Sequence, residues 1–148
     1  MTSALITAGA VPALASDGVT TAANQCEQRN TYRNAYTGTY LDAKGAGGKG
    51  TKVITWHWNG RANQYWCMEK APEGGWYIHP SYNLGLCLDS PVDNSAPILW
   101  NCKHNANQRF NVSNGKIQLR RDGLYVEASR TGEQTWMGYG YTNRAHWS

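Results

Sequence analysis

Asp89, Trp100, Asn107 and Gln108 fall within one short stretch of a 148-residue chain, bounded by Gly85 and Phe110 and holding two cysteines, Cys87 and Cys102. A carboxylate accepts hydrogen bonds, a side-chain amide both donates and accepts, and an indole offers a flat apolar face. A pyranose ring calls for all three, because its hydroxyls donate and accept while its C–H face is apolar. The same residue types recur upstream as Asp42, Trp56, Asn63 and Gln64. Beside Trp100, His104 could reach a second sugar or an acidic group, whereas Lys103 reads as solvated surface. The structural alternative makes Trp100 core and leaves the amides to serve turns.

Such a set must be held by rigid elements. Sixteen glycines and the lack of long aliphatic runs disfavour helices, because glycine is costly inside a helix and useful in turns, so the chain reads as all-β. Seven Trp and nine Tyr against one Phe favour surfaces that are part apolar and part wet over a core filled for bulk alone. The net charge of +4 is spread thinly, which excludes a clustered nucleic-acid footprint. The length leaves room for a single domain.

One pattern occurs three times: glycine, two variable residues, an aliphatic, an acid. It stands as Gly38 to Asp42, Gly85 to Asp89 and Gly123 to Glu127. An aromatic-rich strand follows each copy, and a closing aromatic follows that: Trp66, Phe110 and Trp147. Three units of strands and turns predict a pseudo-threefold closed sheet, because closure removes the exposed edges that one repeat would leave. The repeats run over about 31–70, 75–112 and 115–148. Where the middle repeat has Cys87 and Cys102, the first has Tyr40 and Trp58 and the third has Tyr125 and Tyr139. This register predicts a covalent staple in one copy and an aromatic pair in the other two.

Residues 1–15 form a short apolar stretch ending in Ala13-Leu14-Ala15, a small-x-small pattern that suits an export signal and is far too short to span a membrane. No Lys or Arg precedes the apolar part, so a start further upstream or a simple disordered tail remain the alternatives. Residues 16–30 read as a flexible leader tied by Cys26, and residues 31–148 as the folded domain. Four cysteines behind such a segment suit two disulfides in an oxidising, extracellular setting. Of three possible pairings, Cys87–Cys102 and Cys26–Cys67 are preferred: the first closes one repeat's loop, the second pins the N-terminal segment to the end of the first repeat. The absence of C-x-x-C and the scatter of the four His argue against a metal, and nothing calls for a cofactor.

With the repeats aligned, the chain resembles the R-type lectins, the ricin B-chain-like β-trefoils. The residues that carry the resemblance are Leu41-Asp42 with Asn63-Gln64-Tyr65-Trp66, and Leu88-Asp89 with Asn107-Gln108-Arg109-Phe110. The run Arg33 to Gly38 is also similar to small stand-alone bacterial trefoil lectins of the actinohivin type. The resemblance implies that Asp42 and Asp89 accept from sugar hydroxyls, that Trp56 and Trp100 stack under the ring, and that Asn63 and Asn107 bond a hydroxyl. Gln64 and Gln108 fall in the same site and serve more as loop braces.

In the third repeat the register places Glu127 at the acid, Met137 at the stacking position and Arg144-Ala145 in place of Asn-Gln, so this repeat is expected not to bind sugar. A shift by one residue would bring in Trp136 and Asn143 but break the Tyr125–Tyr139 pair. Catalysis is disfavoured: glycoside hydrolysis needs two acids flanking one bond, and Asp42, Asp89 and Glu127 belong to different repeats. The expectation is a secreted, non-enzymatic binder of glycans with two competent sites. A trefoil that binds a protein, as an inhibitor or an accessory subunit of a toxin or hydrolase, is the alternative.

Overall fold

The computed structural model describes residue 26, residues 28–93 and residues 95–148. The export-like segment 1–15 and most of the leader lie outside the described residues. Within them the regular structure is strand, broken only by short 3-10 turns.

Each repeat opens with an antiparallel hairpin. These are β2 (Tyr40–Ala43) with β3 (Val53–Trp56), β6 (Leu86–Asp89) with β7 (Ile98–Asn101), and β10 (Tyr125–Glu127) with β11 (Trp136–Gly138). Between them run β4 (Trp66–Lys70) with β5 (Trp76–Pro80), and β8 (Phe110–Ser113) with β9 (Lys116–Leu119). The turn joining β8 to β9 is Asn114-Gly115, with φ of 52° and 74°, the left-handed pair that a two-residue hairpin loop requires. The two ends of the domain supply the remaining contact. Short β1 (Arg29–Asn30) pairs with β4, Asn34 bridges to Trp147, and Arg33 and Ser148 exchange backbone hydrogen bonds of 2.8 and 2.9 Å. The expected β-trefoil is the observed fold.

The core repeats with the sequence. Leu41, Leu88 and Val126 are fully buried, and the closing aromatics Trp66, Phe110 and Trp147 pack into the same cluster. Trp66 Nε1 donates to the Leu41 carbonyl at 3.1 Å and Trp147 Nε1 to the Val126 carbonyl at 3.0 Å, so each indole is tied to the hairpin that opens its own repeat. Truncating a ring so placed costs about 3–5 kcal/mol. That anchoring keeps the hairpin ends, where the candidate site residues lie, fixed relative to the core.

Both preferred disulfides are present, Cys87–Cys102 across the β6–β7 hairpin and Cys26–Cys67 beside β4. In the first repeat the place of the Cys87–Cys102 staple is taken by Tyr40 and Trp58, with ring centroids 4.8 Å apart. The expected third pair does not form. Tyr139 is 73% exposed and stacks on Tyr141, and it is the backbone of Gly140 that packs against the Tyr125 ring, where a Cβ would come within 2.5 Å of the ring. Bare backbone replaces the aromatic partner there.

Candidate functional site

In the first two repeats the hairpin and the following 3-10 turn converge on one cleft. Asp42 faces Ile54 and Asp89 faces Ile98 across their hairpins, with Trp56 and Trp100 two residues further along the same strands. Residues two apart on a strand share a face, so each indole joins its acid on the cleft side. The turns Ala62–Gln64 and Ala106–Gln108 bring the Asn-Gln pairs back beneath them.

Gln64 and Gln108 are fully buried braces. Gln64 Nε2 donates to Asp42 Oδ2 and to the His57 carbonyl, both at 2.8 Å, while its Oε1 accepts from Asn59 N at 2.9 Å. Gln108 repeats this with Asp89 Oδ2 at 2.8 Å, the Asn101 carbonyl at 2.9 Å and Lys103 N at 2.8 Å. Neither reaches the cleft surface; each acts through the acid it holds.

Burial raises the pKa of both aspartates. For Asp42, desolvation outweighs the hydrogen bonds from Gln64 and Asn63; for Asp89 it outweighs Gln108, Arg121 and Lys103. The indoles are left accessible: Trp56 is 45% exposed and Trp100 is half-buried. The first cleft encloses about 700 Å³ and is lined by Asp42, Trp56 and Asn63 among others; the second encloses about 290 Å³ beside Asp89, Trp100 and Asn107. An acceptor floor, a flat shelf and an amide are thus brought together twice.

The two clefts differ in how the asparagine is held. Asn63 Nδ2 donates to Asp42 Oδ1 at 2.9 Å, whereas Asn107 Oδ1 accepts from Arg121 Nη1. Arg121 follows β9, in the third repeat, and also donates to the Ser90 carbonyl at 3.3 Å. Lys49, from the glycine-rich loop of the first repeat, places its ammonium 4.8 Å from the centre of the Trp100 ring. That loop docks on β7 through Gly50 N to the Leu99 carbonyl, 2.7 Å. Neighbouring repeats therefore complete the second cleft, and repeat-by-repeat alignment of the sequence carries no sign of it.

His104 is a correction. Left-handed backbone at φ 53° turns it out of the cleft, its ring lies edge-on to Tyr77 at 4.6 Å, and its Nε2 is 3.5 Å from Glu69 Oε1. Lys103 and Asn105 line the second cleft instead.

The third repeat is also corrected. Glu127 faces Trp136 and Val126 faces Met137, so the strand position held by Trp56 and Trp100 belongs to Gly138, not to Met137. Gly138 lies six residues before Arg144, whereas Trp56 and Trp100 lie seven before Asn63 and Asn107, so counting back from the turn without a gap displaces the strand. Arg144 and Ala145 do occupy the Asn-Gln places. The longer side chain of Glu127 fills the space left by the missing indole, lying where a Cβ on Gly138 would be, and accepts from Gly140 N at 2.7 Å.

Three strand-and-turn repeats, with an acid, an indole and an amide pair at two of the hairpin caps, define a β-trefoil of lectin type. Residues 28–138 match the ricin-type beta-trefoil lectin domain, and the chain belongs to that family. No curated protein sequence matches it significantly. Among solved structures it is similar to ThreeFoil, a designed 3-fold symmetric protein (TM-score 0.71, 19% identity, 80% of this chain and 95% of that one). It is similar also to the β-trefoil lectin of the Vibrio vulnificus hemolysin/cytolysin with N-acetyl-D-lactosamine bound (TM-score 0.67, 18% identity, 81% and 91%). A mosquitocidal holotoxin matches at TM-score 0.73 and 12% identity over 84% of this chain, which spans 17% of the toxin's length.

Proposed function

We propose that this chain is a secreted lectin that holds glycans in two clefts, one in each of the first two repeats, and works by binding without catalysis. The observation that carries the reading is the recurrence, in both repeats, of a buried aspartate braced by glutamine beside an accessible indole. Asp42 and Asp89 are the hydroxyl acceptors, Trp56 and Trp100 the stacking shelves, and Asn63 and Asn107 the amides at the cleft edge. The third repeat has no amide pair and no indole at the stacking position, so it is not counted as a sugar site. Two disulfides support an extracellular setting.

Each hydroxyl contact replaces one to water and nets about 1 kcal/mol, so single clefts of this kind bind weakly. Two on one rigid body raise avidity for a multivalent glycan by roughly 10² or more where both are reached together. The test is the double variant Trp56→Ala/Trp100→Ala on a glycan array. Loss of signal with an unchanged circular-dichroism spectrum is expected; an undiminished signal defeats the site assignment.

One observation favours a second reading, an accessory module acting beside a toxin or hydrolase: the matching trefoil is a small part of a holotoxin. A silent glycan array together with a defined protein partner captured by the intact chain would favour it.

A further inference from the structure

We propose that the pocket of the third repeat binds an organic ammonium group, a class of ligand for which neither other cleft is built. The pocket encloses about 270 Å³ and is walled by Trp136, Tyr139 and Tyr141 around Glu127. The three rings are 51%, 73% and 88% exposed. Trp136 sits two residues before Gly138 on β11, so the indole lost from the stacking position reappears one pleat away on the same face. Large rings gathered on one patch of a soluble surface mark a place of contact.

The polar inventory decides what that contact is. The first two clefts set amide donors beside their acceptors, as a polyol requires. Here the amides are gone, and Arg144, which stands in their place, turns away: its guanidinium lies 3.8 Å from the centre of the Tyr36 ring and donates to the Ala128 carbonyl at 3.1 Å. Lys116 is likewise engaged, with the Gly140 carbonyl at 3.1 Å and the Tyr125 ring.

Glu127 is 6% exposed, and among the described residues it accepts only from Gly140 N at Oε2, Oε1 has no hydrogen-bond partner and the carboxylate has no ion pair. A buried charge without a counter-charge is costly. Aromatic faces around a carboxylate complement a cation that carries C–H groups, through charge pairing and cation–π attraction. The same chemistry is offered by a quaternary ammonium of the choline kind and by a protonated amino sugar.

The experiment titrates the intact chain with choline and with glucosamine, followed by tryptophan fluorescence and ligand-observed NMR. Neutral 3,3-dimethylbutan-1-ol and N-acetylglucosamine serve as the matched controls. Only the part of the signal that changes on Glu127→Gln is counted, since this variant keeps the acceptor for Gly140 N and removes the charge. The expected result is that at least one cation binds, that Glu127→Gln weakens it about tenfold, and that Trp136→Ala or Tyr139→Ala weakens it as well. Choline alone, or glucosamine alone, identifies the source. No binding by either cation, equal Glu127-dependent binding of the neutral control, or an affinity untouched by Glu127→Gln overturns the proposal. None of these outcomes depends on whether the first two clefts take sugar.

Discussion

Gln64 Nε2 lies 2.8 Å from Asp42 Oδ2, and Gln108 stands in the same relation to Asp89 at 2.8 Å. A buried amide thereby fixes the acid while its oxygen collects backbone N–H groups from the loop after the stacking strand. Gln108→Leu removes both ends at once, stranding Asp89 Oδ2 and the N–H groups of Lys103 and His104. The expected cost is about 2–3 kcal/mol in chemical denaturation, with binding lost at the second cleft and kept at the first. A stability within error of the parent would show that the brace contributes little.

Arg121 orients Asn107 from the third repeat. Arg121→Met keeps an unbranched apolar stem and removes the donor, leaving the Asn107 amide free to rotate. In a Trp56→Ala background, where only the second cleft reports, glycan affinity should fall about tenfold, as expected for one hydrogen bond to a charged group. The same substitution in a Trp100→Ala background should leave binding at the first cleft as it was.

Protonation of Asp42 and Asp89 gives binding a pH dependence. Desolvation raises both above the ordinary carboxylate value of 3.8. The folded state therefore holds these protons more tightly than the unfolded chain. Their contribution to stability is greatest below the unfolded value and is lost as pH rises through the folded one. Binding runs the other way, because a hydroxyl donor needs the ionised acid. On acidification glycan binding should fail with a midpoint above 3.8 while circular dichroism still reports the fold; a midpoint at or below 3.8 counts against the assignment of the two acids.

Thr55 lies fully buried on β3, and among the described residues its hydroxyl has no hydrogen-bond partner. Thr55→Val keeps the β-branched shape and removes an unsatisfied polar group, so it should stabilise the domain by about 1 kcal/mol. Thermal unfolding followed by circular dichroism gives the direct reading, and a lower melting temperature would mean that the hydroxyl is satisfied after all.

The repeats were legible because their signal is local. Glycine, aliphatic and acid at fixed spacing, followed by an aromatic that closes the unit, reports which residues a hairpin must bury. The same spacing sufficed for Cys87–Cys102 and for the Tyr40–Trp58 pair, since each joins the two ends of one hairpin, whereas Cys26–Cys67 was preferred because it pins the leader to the end of the first repeat. The third repeat resisted because Gly138 lies only six residues before Arg144, where Trp56 and Trp100 lie seven before Asn63 and Asn107. Ungapped counting then put Met137 where the strand pairing puts Gly138. His104 resisted because neighbourhood in sequence says nothing of the side to which a left-handed residue turns its ring.

By itself, then, the sequence determined the three repeats and the two acid, indole and amide sets, for these follow from residue type and period along one stretch of chain, while the trefoil followed from resemblance and the disulfides stood as a preference among three pairings. Only the tertiary structure decided that Arg121 and Lys49 complete the second cleft, and that Glu127 with Trp136, Tyr139 and Tyr141 makes a pocket of another kind. The physical reason is packing around one shared core. Gathering three repeats there sets the loop of one against the strand of the next, and side chains far apart in sequence come to share a cleft.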